Sequence, residues 1–406
     1  MGAVGARGDA LAEGPSGPIY VAFALPGERV RARVSGDRAQ VVEVLSASPD
    51  RRLAPCKHFG RCGGCQLQHW DEAPYLAWKR ARVVEALERR NIGFDVAPTI
   101  AAWGEGRRRA AFHATRQGGA VRLGFQERGG ARLQVISACP VLVPQLEGAL
   151  PKLAEVADLF LPPRGEITLH CLWSEAGLDV AVKGAGKAGA QSQAALERIA
   201  LTAEKQDWAR LSLDGEPLVV RRQPVVRMGL ARVAPPPGAF LQPTALGEET
   251  LARLAAEAVG ESKRVIDLFS GIGTFALRLA ERAEVQAAES DPEMLKALKQ
   301  AADGAGGALK AVTTLRRDLL RTPLSSLEMK KFDAAVIDPP RSGARLQAEQ
   351  IGRSPIRRLA YVSCDPATFA RDVRVLMDFG FSLAKVTPVD QFRWSPHVEV
   401  VGALER

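Results

Sequence analysis

The sequence lacks any uninterrupted apolar run of roughly 18 residues or more, which excludes a membrane-spanning helix of ordinary length. Its N-terminus, MGAVGARGDALAEG, also lacks the apolar stretch of a secretory signal peptide, so we expect a cytosolic protein. Internal repeats and long low-complexity segments are missing as well. With 46% hydrophobic and 25% charged residues, the composition is that of a globular protein and not of a disordered or collagen-like chain.

The length and the charge suggest a multidomain protein with an anionic partner. A chain of 406 residues is long enough for two or three domains. The formal net charge is +9, and Arg is far commoner than Lys, which suits phosphate binding and stacking on bases. A GC-rich genome also favours Arg codons, so charge alone leaves nucleic-acid binding and a merely soluble basic surface both open.

Composition shifts divide the chain into three predicted domains. Residues 18–46 alternate apolar and polar positions between Pro-Gly and Gly-Asp turns, which predicts a small barrel-like β unit. Apolar spacing predicts a helix over 73–91. The Pro-rich stretch Ala234-Pro235-Pro236-Pro237-Gly238 indicates a boundary. We therefore predict a β-barrel domain over 1–50, an α+β central domain over 51–235 and an α/β domain over 236–406.

Short buried strands alternate with helices in the last of these domains. The strand candidates are 264–268, 285–288, 309–313, 334–337 and 359–363. This alternation predicts a Rossmann-like, mostly parallel sheet with helices on both faces.

A glycine loop follows the first of these strands, in Asp267-Leu268-Phe269-Ser270-Gly271-Ile272-Gly273. A G-x-G turn after a strand is shared by dinucleotide and S-adenosylmethionine sites, so the turn alone does not choose between them. Asp267 favours the second, since a carboxylate there suits the cationic part of S-adenosylmethionine better than a pyrophosphate. The alternative is an iron–sulfur oxidoreductase that uses a nicotinamide.

Further carboxylates follow the later strands. Glu289 is placed to accept ribose hydroxyls, Asp318 to face the adenine amine, and Asp338, in Asp-Pro-Pro-Arg, to lie in a stiff loop beside the cofactor. Any one of them could simply face water. Their shared position at one sheet edge favours a cofactor site.

Cys364 and Glu399 are the candidate catalytic residues. Cys364 ends a strand in Ser-Cys-Asp-Pro, where a helix N-terminus and nearby Arg371 are expected to favour the thiolate. A cysteine nucleophile suits methylation at C5 of a pyrimidine, which becomes nucleophilic only after a thiolate adds at C6. The reaction then needs a base, and Glu399, flanked by valines, is a better candidate than His397.

Four of the six cysteines form a candidate metal site. Cys56, Cys62 and Cys65 lie close together in the chain, and Cys139, followed by proline, is the natural fourth ligand, with Cys171 as its competitor. Four thiolates suit an iron–sulfur cluster or a structural zinc ion, so the ligand set alone leaves both open.

These motifs together resemble the RNA 5-methyluridine methyltransferases that carry a TRAM domain and a [4Fe–4S] cluster, above all the bacterial 23S ribosomal RNA uracil-C5 enzymes. The resemblance covers nearly the whole chain. Phe23-Ala24-Leu25-Pro26-Gly27-Glu28 looks like the RNA-gripping TRAM module, and the cluster ligands match Cys56, Cys62, Cys65 and Cys139.

The resemblance also assigns roles to residues of the α/β domain. It implies that Gln242 (in Phe-Leu-Gln-Pro), Phe269, Glu289, Asp318 and Asp338 bind S-adenosylmethionine, that Cys364 is the nucleophile and that Glu399 is the base. The chain departs from the family at Asp365, often Asn, and at residues 297–302, where an Asn-rich helix is usual.

The expected protein is thus a monomeric, cytosolic RNA uracil-C5 methyltransferase with S-adenosylmethionine and [4Fe–4S] as cofactors. Ribosomal RNA is the first expectation for its substrate and transfer RNA the second. An RNA-binding assembly factor with a dormant transferase domain is the remaining alternative.

Overall fold

Three β-sheets and a two-stranded hairpin organise the chain in a computed structural model that describes residues 1–15, 17–130, 132–162, 164–186 and 193–406. Within these ranges no helix is long and apolar enough to cross a membrane.

The N-terminal sheet has four strands in the order β1-β2-β4-β3. They are β1 (Ala10–Gly14), β2 (Gly17–Ala22), β3 (Arg29–Ser35) and β4 (Arg38–Ser46). Register shifts between β3 and β4 at Arg29/Val30 and Arg31/Ala32 bend this edge of the sheet. The predicted N-terminal β-rich unit is confirmed; its assignment as an OB-like TRAM barrel stays a prediction.

The central sheet has seven strands in the order β12-β11-β10-β9-β6-β7-β8. They are β6 (Arg109–Gln117), β7 (Ala120–Gln126), β8 (Leu133–Val135), β9 (Glu166–Ser174), β10 (Gly177–Lys183), β11 (Arg210–Leu213) and β12 (Glu216–Val220). The accompanying helices are α2 (Pro144–Gly148), α3 (Leu150–Phe160) and α4 (Gln193–Lys205), which share one apolar core with the sheet. The predicted α+β character of this region is confirmed.

The C-terminal sheet has eight strands in the order β17-β16-β15-β18-β19-β21-β20-β5. They are β5 (Ile100–Ala101), β15 (Arg264–Leu268), β16 (Glu284–Glu289), β17 (Val312–Arg316), β18 (Ala334–Ile337), β19 (Arg358–Ser363), β20 (Ser382–Asp390) and β21 (Glu399–Glu405). Strands β15 to β19 are parallel, and β21 runs antiparallel to both β19 and β20. The hairpin β13 (Val226–Met228) and β14 (Ala231–Val233) packs beside it.

Helices cover both faces of this sheet. One face packs against α5 (Ala245–Val259), α6 (Ala276–Leu279) and α7 (Pro292–Asp303). The other packs against α1 (Glu72–Glu88), α8 (Arg345–Arg353) and α9 (Pro366–Asp378). Alternate strand residues divide between the two cores, as Val265 and Ile266 do. The predicted Rossmann-like domain is confirmed.

Two details differ from the sequence-based prediction. The third parallel strand begins at Val312, not at Leu309, because its pairing with β16 starts at Val285 and Val312. Helix α1 and strand β5 pack on the C-terminal sheet, although they precede the predicted boundary at 235. The predicted domain boundaries stay a prediction.

Candidate active site

The candidate site lies at the carboxyl edge of the parallel strands, where strand order reverses between β15 and β18. Phe269 follows β15 in a left-handed conformation (φ 63°), which is unusual for a residue with a Cβ. Gly271 and Gly273 continue the turn with positive φ. A Cβ on Gly273 would lie 2.9 Å from Leu277, so the loop closes onto α6 only with glycine there.

Glu289 at the end of β16 holds this glycine loop. One of its carboxylate oxygens accepts a hydrogen bond from Gly271 N at 3.1 Å, and the other accepts one from Ser290 N at 2.6 Å. Asp318 lies just beyond β17 at the same edge, where it caps a turn by accepting from Leu320 N at 3.1 Å. Glu289 therefore contacts the loop directly, and Asp318 lies at the same edge of the sheet two strands away.

Asp267 does not have the role expected of it. Its side chain is fully buried beneath the glycine loop, and Oδ2 accepts from Ala276 N at 2.9 Å at the start of α6. Burial, aided by the charges of Asp338 and Glu289, raises its pKa well above the usual range. Full burial therefore disfavours the charged form of Asp267, against the expectation that its charge faces the cofactor.

The two predicted catalytic residues come from adjacent strand ends. Ser363 of β19 pairs with Val400 of β21, so Cys364 and Glu399 occupy the next opposed positions of the antiparallel pair. Cys364 is partly buried and Glu399 is 4% exposed. Asp338 follows the neighbouring strand β18 and is close enough to influence both electrostatically.

Burial raises the pKa of all three groups, and for Glu399 and Cys364 the repulsion of neighbouring negative charges adds to it. The pKa of Glu399 rises to about 8, chiefly through burial and then through Asp338, and burial raises the pKa of Asp338 to about 7. Burial, followed by the charges of Glu399 and Asp338, raises the pKa of the Cys364 thiol to about 11, although Arg341 opposes this.

The thiolate-favouring environment predicted for Cys364 is therefore wrong. Asp365 caps α9 by accepting from the Ala367 and Thr368 amides, so the helix N-terminus is already satisfied. Arg371 points away and bonds Asp372 at 2.7 Å.

Gln391, which the sequence analysis missed, joins two predicted site residues. Its Nε2 donates to Oε1 of Gln242 at 2.6 Å and to Oε1 of Glu399 at 3.3 Å. All three side chains are at least 95% buried, with exposures of 1%, 5% and 4% for Gln391, Gln242 and Glu399. Gln391 follows β20, and nothing in its local sequence indicates which way its side chain faces.

The loop of residues 391–398, here the β20–β21 loop, is fixed from outside by helix α1. Lys79 Nζ lies 2.5 Å from Asp390 Oδ1, with both side chains fully buried, and also donates to His397 O at 2.6 Å. Tyr75 donates its hydroxyl proton to Asp390 Oδ2 at 2.7 Å. Helix α1 thereby sets the position of the loop that leads into Glu399.

The four predicted metal ligands line one cavity. Cys56, Cys62, Cys65 and Cys139 are free thiols around a space of about 570 Å³ that also borders Phe240 and Phe392. Cys171 lies elsewhere, fully buried in β9. Among the described residues, no group of three or more His, Cys, Asp or Glu side chains is arranged around a single metal-ion position.

The pKa values of the buried cysteine thiols are governed by burial. For Cys65, the nearby positive charge of Arg107 offsets this effect only in part. Burial raises the pKa of Cys65 to about 11 and that of Cys139 to about 12, with smaller contributions from the other cysteines of the group. Gly63 permits the tight approach of this segment to β7, since a Cβ there would lie 2.8 Å from Gln126 O. The Gln66 and Leu67 amides, in turn, donate to Trp394 O of the β20–β21 loop at 2.8 and 3.0 Å.

An arginine-rich cleft of about 1020 Å³ lies between the N-terminal sheet and α1 and reaches Asp365, the residue that follows Cys364 in the chain. Its arginines outnumber its acidic residues, Asp9, Asp37, Glu85 and Asp365. They are Arg7, Arg38, Arg82, Arg89, Arg90 and Arg341. The cleft thus carries an excess of basic side chains, which accounts for part of the net positive charge of the chain.

The chain is similar to known RNA methyltransferases along nearly its whole length. The family model of tRNA (uracil-5-)-methyltransferases matches residues 232–406. An RNA methyltransferase of Caulobacter vibrioides is 47% identical over 100% of this chain and 99% of its own. The 23S rRNA (uracil(1939)-C(5))-methyltransferase RlmD of Pseudomonas putida is 35% identical over 98% of this chain and 91% of its own.

A solved structure shares the fold along the whole chain. The tRNA (uracil-54, C5)-methyltransferase of Pyrococcus abyssi, in complex with S-adenosyl-L-homocysteine, has a TM-score of 0.74 and 21% sequence identity, covering 100% of this chain and 99% of that one.

Proposed function

Because the chain belongs to the RNA uracil-C5 methyltransferase family and is an S-adenosylmethionine-dependent enzyme, we propose that it methylates C5 of one uridine in 23S ribosomal RNA. The observation that carries the reaction is the opposition of Cys364 and Glu399 on adjacent strand ends, beside the glycine loop. A nucleophile and a base thus meet at the sheet edge where the cofactor is expected.

The proposed mechanism begins with Cys364. The thiol loses its proton, sulfur forms a bond to C6 of a uridine that is flipped out of its RNA structure, and the displaced electron pair gives an enolate at O4. Bound S-adenosylmethionine would supply an electrophilic methyl group: C5 would take it as the S–CH3 bond breaks, and S-adenosylhomocysteine would be the leaving group. Glu399 then removes the C5 proton, and the C6–S bond breaks to restore the uracil ring and the thiolate.

The electrostatics of the site support these roles. With a pKa of about 8, Glu399 is poised near the working pH and can accept a proton in one step and release it in the next. The raised pKa of Cys364 means that the thiol stays protonated until substrate arrives. Removal of the thiol proton is then coupled to the attack on C6, and the proposed acceptor of that proton is the carboxylate of Asp338, which lies near Cys364.

For the cofactor, we propose that Gln242, Phe269, Glu289, Asp318 and Asp338 form the binding site. The left-handed turn at Phe269 directs the glycine loop, and Glu289 fixes that loop from the end of β16. Buried Gln242 brings an amide to the site from the segment before α5.

Cys56, Cys62, Cys65 and Cys139 are proposed to hold a [4Fe–4S] cluster. Their thiols face one cavity that has room for more than a single ion, and buried thiols with raised pKa values suit a group that supplies positive charge. The chemistry of uracil methylation needs no electron, so the cluster's part is structural: it holds the segment that bonds Trp394 O.

The arginine-rich cleft is the proposed RNA entrance, with the N-terminal sheet, as a TRAM-like module, forming one wall. The resemblance to RlmD along nearly the full chain favours ribosomal RNA. Transfer RNA is the second candidate, because the matching family model is named for it. The enzyme is proposed to act as a cytoplasmic monomer.

The test is methylation of separate 23S ribosomal RNA and transfer RNA transcripts, followed by mass spectrometry of the digested nucleosides. We expect 5-methyluridine in the ribosomal RNA and none after Cys364→Ala. Methylation of transfer RNA alone would overturn the substrate assignment, and methylation at another atom would overturn the reaction.

A further inference from the structure

The amide of Gln391 lies between a cofactor-side residue and the base. Its Nε2 donates to Gln242 Oε1 at 2.6 Å and to Glu399 Oε1 at 3.3 Å, and all three side chains are buried. Hydrogen bonds to an ionised carboxylate in such a dry place are stronger than those between neutral groups.

The surrounding structure gives Gln391 little freedom. The preceding residue, Asp390, is held by Lys79 and Tyr75, so the backbone at the end of β20 is fixed. On the other side, a Cβ on Gly247 would lie 2.5 Å from Gln391 Oε1, which shows how closely the start of α5 approaches the amide. Val389 pairs with Glu399 across the sheet, so Gln391 stands near the base by register as well.

We propose that Gln391 is a positioning residue, which orients the carboxylate of Glu399 for removal of the C5 proton and ties it to Gln242 on the cofactor side. This inference rests on the proposed function. It assigns to Gln391 a control over the last chemical step, proton removal, and no part in the attack of Cys364 on C6.

The charged groups around Glu399 make this control measurable. Asp338 at the end of β18 and Cys364 at the end of β19 surround the carboxylate, and Lys79 of α1 stabilises its charge from farther away. Among these, Gln391 donates a hydrogen bond that lowers the pKa of Glu399 against the effect of burial. Loss of the donor therefore favours the protonated base.

The test compares Gln391→Met with Gln347→Met in the full-length enzyme. Gln347 of α8 is also 1% exposed, but its side chain forms hydrogen bonds with the backbone of Leu324, away from the site. For Gln391→Met we expect a methylation rate roughly tenfold lower near neutral pH. The acidic limb of the rate profile, where the rate rises as Glu399 ionises, should move upward by about one pH unit. The kcat should fall more than the KM for S-adenosylmethionine rises.

A second readout separates positioning from a structural defect. When proton removal slows, a methylated RNA–protein adduct at Cys364 should accumulate in Gln391→Met and survive denaturing electrophoresis. A merely misfolded site would form less adduct. Gln391→Glu, which keeps the side-chain length, should shift the rate profile in the same direction, because its charge adds to that of Asp338.

The outcomes are distinguishable from failure of the proposed function. The role of Gln391 would be overturned if both Gln391 variants kept the wild-type rate profile and adduct level. It would also be overturned if Gln347→Met shifted the rate profile to the same extent. Absence of 5-methyluridine with the wild-type enzyme would overturn the proposed function itself.

Discussion

Lys79 of α1 and Asp390 at the end of β20 form a fully buried ion pair with an Nζ–Oδ1 distance of 2.5 Å. The two residues are 311 positions apart, so the pair joins the helix that follows the cysteine segment to the loop that precedes the base. Breaking such a pair leaves an uncompensated charge in the protein interior.

Lys79→Met should consequently lower the free energy of unfolding by about 3–5 kcal/mol. Replacing both partners, in Lys79→Met/Asp390→Asn, should regain a large part of this loss, because no buried charge remains. Urea unfolding of both variants is the measurement. A loss of under about 1 kcal/mol in the single variant would contradict the importance given to this pair.

Local patterns could predict much of the site, since residues that end parallel strands meet at one sheet edge. This rule predicts Cys364 and Asp338, whereas Glu399, which begins the antiparallel strand β21, is predicted from its flanking valines and from the family resemblance. Gln391 and Lys79 could not be, because their roles depend on contacts with residues distant in the chain. Asp267 shows the limit most clearly: its position in the strand was predicted, but the depth to which the glycine loop buries it was not.

The raised pKa of Glu399 predicts that this residue destabilises the fold at alkaline pH. Its folded value of about 8 exceeds the ordinary 4.5, so ionisation within the fold is penalised as pH rises through that window. Glu399→Gln should thus unfold like the wild type near pH 4.5 and be more stable above pH 8, by about 2 kcal/mol or more.

Thermal unfolding at both pH values measures this difference. The carboxyl of Asp338 has a pKa of about 7 in the folded protein. Asp338→Asn should therefore also be more stable than the wild type, beginning at a lower pH than for Glu399→Gln. Equal stability of Glu399→Gln and wild type at alkaline pH would contradict the burial of this charge.

The cysteine cavity predicts the metal content of the enzyme. Anaerobically purified protein should contain about four iron and four sulfide per chain, with the broad visible absorbance of a [4Fe–4S] cluster. Cys65→Ser should lose both, whereas Cys171→Ala, which changes a thiol outside the cavity, should retain them.

Cluster loss should also loosen the β20–β21 loop, because the Gln66 and Leu67 amides hold Trp394 O. Limited proteolysis should therefore cut this loop faster in Cys65→Ser than in Cys171→Ala. A colourless wild-type enzyme with one zinc per chain would contradict the cluster.

The arginine-rich cleft predicts where RNA affinity resides. Arg89→Ala/Arg90→Ala should weaken RNA binding several-fold and reduce the slope of log K against log salt concentration by roughly one to two. Arg345→Ala/Arg374→Ala is the matched control, since these arginines pair with Glu349 and Asp378 outside the cleft. Filter binding at several salt concentrations measures both, and equal effects of the two double variants would contradict the assignment.

The covalent mechanism can be tested directly with Glu399→Gln, which keeps the hydrogen-bonding shape of the base but cannot remove the C5 proton. Incubated with S-adenosylmethionine and a 23S ribosomal RNA fragment and then denatured, this variant should give an RNA–protein band that carries the transferred methyl group. The band should disappear in Cys364→Ala/Glu399→Gln. Free methylated RNA with no adduct, or an adduct that persists without Cys364, would contradict the proposed roles of the two residues.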